Sequence, residues 1–378
     1  MKKITGTVNR TDQDKIEVVP PLHFSTICSQ KIPGEVIGFE YGRIDNPTRT
    51  MVEKELASLE NGREAILFSS GMAAINAILL TLKSGDHLIC GENIYEGTKK
   101  LIEEVFSKFK LETSFVKNSS DLKKKIRKNT KLVLFETVSN PLLEIIDIEK
   151  VKKIIKDHSE GKCQLIIDNT LSTPFCLNPL KLGADIVIHS TTKFLAGHHD
   201  TIGGVAIIND KEIAHQIRNI QQMGGSFLAP FDCFLLSRGL KTFKVRFEKQ
   251  SKNAELLAKW LSKHPKVKKV IFPGLKNHPQ HKIAKKQMKN FGAMISIVIK
   301  GNNPNHFFRE LKMIKIAQSF GGFGTTIQVP RKMMTFSEKN EELDKKGINN
   351  NFIRISVGLE NIKDIILDLE TSLKKIKK

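Results

Sequence analysis

Short runs of consecutive apolar residues, each ending abruptly in polar ones, recur through the first half of the chain. They are Ala65-Ile66-Leu67-Phe68, Leu88-Ile89-Cys90, Leu132-Val133-Leu134-Phe135, Leu165-Ile166-Ile167 and Ile186-Val187-Ile188. Runs this short and without alternation predict strands buried on both faces, as in a parallel sheet. Between them lie segments with helical spacing: MVEKELASLEN after the Asn46-Pro47 turn, AAINAILLTL after Ser69-Ser70-Gly71-Met72, and Ile148 to His158. The last carries Ile148, Val151 and Ile155 on one face and supplies a crossover to the next strand. From about Phe243 the pattern changes to Lys-rich amphipathic helices alternating with short strands at Val270-Ile271-Phe272, Met294 to Val298 and Phe352 to Ser356. The expected architecture is therefore α/β: a mostly parallel central sheet flanked by helices over residues 50–242, then a smaller α+β domain over residues 243–378. Residues 1–49, interrupted by Pro20-Pro21 and Pro33-Gly34, read as an arm without a core of its own.

The polar residues at the strand ends carry the chemistry. One apolar run ends in Asp168-Asn169-Thr170 and the next in His189-Ser190-Thr191-Thr192-Lys193. Ligands of open α/β sheets lie at the carboxyl edge of the strands. A carboxylate there can keep a pyridine nitrogen protonated, and a lysine can bind a cofactor aldehyde as a Schiff base. Ser190 and Thr192 offer hydroxyls to a phosphate. Singly, an Asp after a strand is often a helix cap and most lysines are solvated; together these residues point to a pyridoxal phosphate site. The Ser70-Gly71 turn opening a helix is a candidate anion site, although Ser is also a common N-cap. Arg354 stands in an otherwise apolar strand, where it is costly unless paired, and an incoming carboxylate would pair it bidentately.

Composition changes the picture in four places. The chain has 378 residues, 40% hydrophobic, enough for two domains with a sizeable core. It has 22 phenylalanines but two tyrosines, Tyr41 and Tyr95, which suggests that a phenol is kept where the hydroxyl is of use, with chance as the alternative. Five scattered cysteines without a CxxC pair argue against a disulfide framework and a zinc site and suit a reducing cytoplasm. No metal is expected, and His198-His199-Asp200 reads as a loop beside Lys193. The net charge of +21 raises a nucleic-acid partner, but pairs such as Lys152-Lys153, Lys268-Lys269 and Lys285-Lys286 are spread over several helices as a solvated surface. No run is long enough to cross a bilayer, and the start of the chain lacks a secretory apolar segment.

Residues 165–204 resemble the cofactor-lysine motif of the Cys/Met-metabolism family of pyridoxal phosphate enzymes. That family includes cystathionine γ-synthases, γ-lyases and β-lyases, methionine γ-lyases and O-acylhomoserine sulfhydrylases. Tyr41-Gly42-Arg43 with Asn46-Pro47-Thr48 resembles its YGR..NPT motif, Ser69 to Met72 its SSGM element, and Glu136 to Pro141 its ETPSNP motif with Val138 in place of proline. Arg354 to Glu360, and Gln318 with Ser319-Phe320-Gly321-Gly322, match further elements, so the resemblance spans nearly the whole chain after residue 20. It implies a fold-type I aminotransferase-like fold, with Lys193 binding the cofactor and carrying protons and Asp168 at the ring nitrogen. Thr170, Ser190 and Thr192 would lie beside the cofactor, Gly71 and Met72 would donate amides to its phosphate, and Tyr95 would stack on the ring and shuttle a proton. Asn140 would meet the ring hydroxyl and the substrate. Arg354 would take the substrate carboxylate, with Ser319 and Gln318 close by. Tyr41 and Arg43 would reach the phosphate of a neighbouring subunit, which implies a homo-oligomer with shared active sites, expected as a homotetramer.

The sequence also departs from the family. An HxG element usual near the N-terminus is missing, and Asp45 and Glu96 replace glycines. Gly97 stands where methionine γ-lyases carry a cysteine, which counts against that activity. Gln318 stands where many γ-synthases and γ-lyases carry glutamate. The expected activity is γ-replacement or γ-elimination on sulfur amino acids or their precursors, of the cystathionine γ-synthase or γ-lyase type. Cystathionine β-lyase or O-acylhomoserine sulfhydrylase is the alternative, and a non-catalytic basic nucleic-acid-binding protein on the same fold is the contrasting class.

Overall fold

The computed structural model describes residues 18–160, 163–301, 304–334 and 339–376. The first part of the expected arm and the closing Lys377-Lys378 lie outside the described residues. Seven strands form the larger sheet: β1 Glu64–Phe68, β2 His87–Gly91, β3 Glu112–Val116, β4 Thr130–Glu136, β5 Gln164–Asp168, β6 Ile186–Ser190 and β7 Gly204–Ile208. Their order is β1-β7-β6-β5-β4-β2-β3. From β6 to β3 every neighbouring pair is parallel, whereas β7 runs antiparallel to both β6 and β1. The sheet is thus mostly parallel, as expected, with one reversed strand that an apolar run does not disclose, because it reads the same in either direction.

Alternation along these strands divides the core in two. Ala65, Leu67, Val133, Phe135, Leu165, Ile167, Val187 and Val205 face one apolar cluster. Ile66, Phe68, Leu132, Leu134, Ile166, Ile186, Ile188 and Ala206 face another. Successive side chains point to opposite faces, so helices cover both sides of the sheet. Full burial of each Ile, Leu or Val stabilises the fold by roughly 1.5–3 kcal/mol before entropy is counted.

Helix α1, Pro47–Glu60, starts where Asn46 accepts hydrogen bonds from Thr48 N and Arg49 N, with Pro47 in the first turn, and stops at Asn61 in the left-handed region. Its last residue ties it to the sheet. The buried Glu60 carboxylate lies 2.6 Å from His189 Nε2 and accepts from Asn169 Nδ2 at 2.7 Å. Helix α2, Gly71–Leu79, is capped by Ser70, whose hydroxyl accepts from Ala73 N.

A second sheet, in the order β10-β11-β12-β9-β8, comprises β8 Val267–Ile271, β9 Met294–Ile299, β10 Lys315–Ile316, β11 Thr326–Gln328 and β12 Phe352–Ser356. One face packs Ile295, Ile297, Ile353 and Ile355 against Ile365, Leu369 and Leu373 of the C-terminal helix. Met294 and Phe352, on the opposite face, join the core of the larger sheet. Of the Lys-rich helices expected here, only Phe243–Leu261 and Ile362–Lys374 are long among the described residues. Those between are short, because Pro273, Gly274, Pro279, Gly292, Gly301 and Pro304 interrupt the chain. No helix among the described residues is long and apolar enough to cross a membrane.

Candidate active site

The carboxyl ends of β4, β5 and β6 open into a cavity of about 620 Å³ that extends to the second sheet. Glu136 ends β4, Asp168 ends β5 directly opposite it, and Ser190 ends β6. Asp168 Oδ1 accepts from Thr170 N at 3.0 Å and from Thr170 Oγ1 at 2.5 Å. The same hydroxyl accepts from Ser190 N at 2.9 Å, so one threonine fixes both strand ends. Burial pushes the Asp168 carboxyl up, while the Thr170 bonds and the nearby His189 oppose the shift.

Lys193 lies one short turn beyond β6. Its Nζ donates to Ser319 Oγ at 2.5 Å and stands 5.0 Å from the centre of the Phe320 ring. Burial, and then the positive charge of Arg354, push its pKa down from 10.5 to about 8. The cavity wall also includes Gly71, Met72, Ser190 and Thr192. As the first residues of α2, Gly71 and Met72 have amides without an intrahelical acceptor. Thr192 Oγ1 is held by Gly203 N at 3.0 Å.

Arg354, 3% exposed on β12, donates to Asn140 Oδ1 at 2.8 Å and to the Ser319 carbonyl at 2.7 Å. Its Nε is buried with no partner among the described residues. Tyr95 lines the cavity half-exposed, and Gln318 lines it with its side-chain amide donating to the Met333 carbonyl at 2.9 Å. The structure thus gathers Lys193, Asp168, Thr170, Ser190, Thr192, Gly71, Met72, Tyr95, Asn140, Gln318, Ser319 and Arg354 around one cavity.

Tyr41 and Arg43 do not line it. They stand on the arm, where Arg43 donates to the Gln222 carbonyl at 2.8 Å and lies over the Tyr41 ring. Sequence reasoning missed Glu136, Phe320, Ile202, Met333 and Met334, all on the wall. The signal for Glu136 was present, since an apolar run ending in an acid marks β4 as it marks β5. His198 Nδ1 meets the Ala196 carbonyl at 2.6 Å, and no group of three or more His, Cys, Asp or Glu among the described residues is placed to hold a metal.

The residues present fit pyridoxal phosphate. The volume lies in the range of small-molecule sites. An amine of lowered basicity suits an aldehyde, a carboxylate suits a basic ring nitrogen, and open helix amides beside two hydroxyls suit a phosphate.

Residues 4–374 match the model of the family described as Cys/Met metabolism PLP-dependent enzyme. An L-methionine gamma-lyase of Fusobacterium nucleatum subsp. polymorphum is 44% identical over 349 residues, covering 90% of this chain and 88% of that protein. A cystathionine beta-lyase of Coxiella burnetii is 42% identical, covering 94% and 93% respectively. The crystal structure of cystathionine gamma-lyase from Lactobacillus plantarum, complexed with L-serine, superposes with a TM-score of 0.93 at 36% identity, covering 99% of this chain and 97% of that one. Motifs, cavity and relatives therefore agree: the chain belongs to the Cys/Met-metabolism family of pyridoxal-phosphate-dependent enzymes.

Proposed function

We propose that the protein catalyses γ-elimination or γ-replacement on sulfur amino acids or their precursors, in the manner of cystathionine γ-lyase or γ-synthase. The observation that carries this reading is the Lys193 amine, lowered to about 8 and held at 2.5 Å by Ser319 in the same cavity as Asp168 and Arg354. Lys193 would hold the cofactor and then, freed, take the proton from the substrate's Cα; Ser319 aims its nitrogen. When bound, pyridoxal phosphate supplies an electron sink conjugated to that carbon. Asp168 would keep the ring nitrogen protonated, with Thr170 fixing the carboxylate. Gly71, Met72, Ser190 and Thr192 would hold the phosphate, and Asn140 the ring hydroxyl.

Arg354 would take the α-carboxylate through its unpartnered Nε, while Asn140 and the Ser319 carbonyl keep the guanidinium in place. Tyr95 would move the proton at the leaving group, and γ-chemistry requires a second proton, from Cβ, that Lys193 or Tyr95 can carry. Tyr41 and Arg43 would complete the phosphate site of a neighbouring subunit, so residues 1–49 would serve as an intersubunit arm in a homotetramer. Residues 50–242 would form the cofactor domain and residues 243–378 the smaller domain. A cytoplasmic location is in keeping with five free cysteines.

One observation favours a second reading: the Fusobacterium relative is named a methionine γ-lyase. Gly97 bears on the choice, since a Cβ there would lie 2.5 Å from Cε1 of the Tyr95 ring and would displace it. Product analysis separates the readings. Cystathionine giving cysteine and 2-oxobutanoate supports γ-elimination, and homocysteine with pyruvate would mean β-lyase activity. Methanethiol from methionine would mean the second reading. Cystathionine formed from cysteine and an O-acylhomoserine supports γ-replacement, whereas turnover of none of these would overturn the proposal.

A further inference from the structure

We propose that Glu136 holds a proton in the working site and acts there as a neutral positioning residue. It leaves Asp168 the one anion at the strand ends and leaves the charge of Arg354 to the substrate carboxylate. The inference deepens the reading of Lys193, Asp168 and Arg354 given above and rests on it.

The geometry starts from register. Glu136 and Asp168 are directly paired on adjacent parallel strands, so their side chains project on the same side, and both line the cavity. Where two buried carboxylates share a site, one of them has its pKa strongly raised. Their surroundings decide which one keeps the proton. Asp168 has two donors from Thr170 on a single oxygen, and His189 lies behind it. Glu136 is 7% exposed and its Oε2 is buried with no partner among the described residues. Four groups face it from the surrounding elements. Asp168, on β5, repels its charge; the backbone N–H groups of Tyr95 and Asn140 favour the anion; and Arg354, on β12, also favours the anion. Burial, and then the repulsion from Asp168, prevail and hold the carboxyl well above the usual range.

Arg354 does not close the gap. Its two terminal nitrogens go to Asn140 and the Ser319 carbonyl, and its Nε has no partner among the described residues. An ionised Glu136 would stand near that guanidinium as a rival of the substrate carboxylate. A neutral one presents an O–H and leaves the guanidinium uncompensated. The consequence is a substrate-binding site whose affinity for α-carboxylates declines as rising pH takes the proton from Glu136.

Two measurements test this on the cofactor-loaded protein. In the infrared spectrum of protein labelled with carbon-13 at its glutamate side-chain carboxyls, a protonated-carboxyl band should persist at neutral pH, shift with the label and disappear in Glu136→Gln. Glycine and methylamine are then titrated by the visible spectral change. Glu136→Gln, which mimics the neutral acid, should keep glycine affinity within about threefold at neutral pH and remove the weakening with rising pH that separates glycine from methylamine. Absence of the labelled band overturns the proposal, and so does a loss of glycine affinity of about tenfold or more in Glu136→Gln. If that variant fails to fold, Glu136→Asp, which removes the glutamate label from that position, assigns the band in its place. Failure of the cofactor reading would appear separately, as no visible change with any amine, while the infrared band of the unloaded chain still reports on Glu136.

Discussion

On one wall of the cavity, Glu136, Asp168 and Ser190 stand at the ends of adjacent parallel strands whose apolar residues are almost wholly buried. On the facing wall, Gln318, Ser319 and Phe320 stand on a loop between β10 and β11. Ser319 has φ +73°, and Gly321 has φ +89°, where a Cβ would lie 2.6 Å from Phe194 N. A non-glycine residue in that region costs on the order of 1–3 kcal/mol, so the loop is held by its contacts rather than by local preference. Among those contacts are the Ser319 carbonyl on Arg354 and the Ser319 hydroxyl on Lys193. Strand register fixes the first wall, whereas a few hydrogen bonds fix the second. Under the proposed function, the groups that would hold the cofactor lie on the first, and those that would sort substrates lie on the second.

The comparison can be broken most severely at Lys193. Lys193→Ala should abolish borohydride-stable attachment of the cofactor and all turnover, with the circular dichroism spectrum unchanged. A pyridoxyl group still covalently attached after borohydride reduction and dialysis under denaturing conditions would show that another amine binds the aldehyde. A third contributor, the arm, is tested by mixing Lys193→Ala protein with a Tyr41→Phe, Arg43→Ala variant, each inactive alone. Random pairing in a symmetric dimer restores about a quarter of the sites. No recovery despite proven subunit exchange would confine the site to one chain.

Arg354→Met, on the second sheet, should raise KM for amino-acid substrates about 100-fold, as charge-assisted hydrogen bonds worth about 3 kcal/mol are lost. It should also act on the first wall. In the native protein, capture of the aldehyde by the unloaded chain should rise with pH through about 8, because the neutral amine reacts and burial has lowered Lys193 to that value. Removing the Arg354 charge withdraws the smaller of the two causes, so the midpoint should move upward without reaching 10.5. A stopped-flow pH profile that does not move would mean that the two walls are electrostatically independent.

The smallest effect is expected at Gln318. A glutamate there would attract the distal ammonium of cystathionine, a gain of about 5- to 30-fold. It would also lose the exposed hydrogen bond to the Met333 carbonyl, worth about 1 kcal/mol. Because that loss is common to every substrate, Gln318→Glu should raise kcat/KM for cystathionine by about 5- to 30-fold relative to a substrate with an uncharged distal group. Equal effects on both substrates would place the sorting elsewhere.

The first wall was legible in the sequence because one local signal, an apolar run followed by a polar residue, marks both the strand and its functional end. That signal yielded Asp168, Ser190 and, one turn on, Lys193. It applied equally to Glu136, which was named only as part of a motif resemblance and given no role. The second wall was less legible. Ser319 and Lys193 meet across 126 positions, and no local pattern encodes such a pairing. The buried contact between Glu60 and His189 was hidden for a related reason, since alternation turns His189 away from the face that Ser190 presents. Resemblance to a family supplied Arg354, Ser319 and Gln318, and physical reading of the strand alone would have supplied only the arginine.

The reversal of β7 also bears on how the chain reaches this structure. β6 and β7 are close in sequence, so their antiparallel ladder can form early with little loop closure. β1 has no such neighbour: Phe68 pairs with Gly204 and Glu64 with Ile208. During synthesis the apolar Ala65-Ile66-Leu67-Phe68 segment leaves the ribosome long before its partner does, while the strands that later lie between it and the rest of the sheet are still being made. A nascent chain arrested before Gly204 would carry an unpaired, hydrophobic edge, the kind of species that aggregates or recruits chaperones. Chains released after Ile208 should escape both fates.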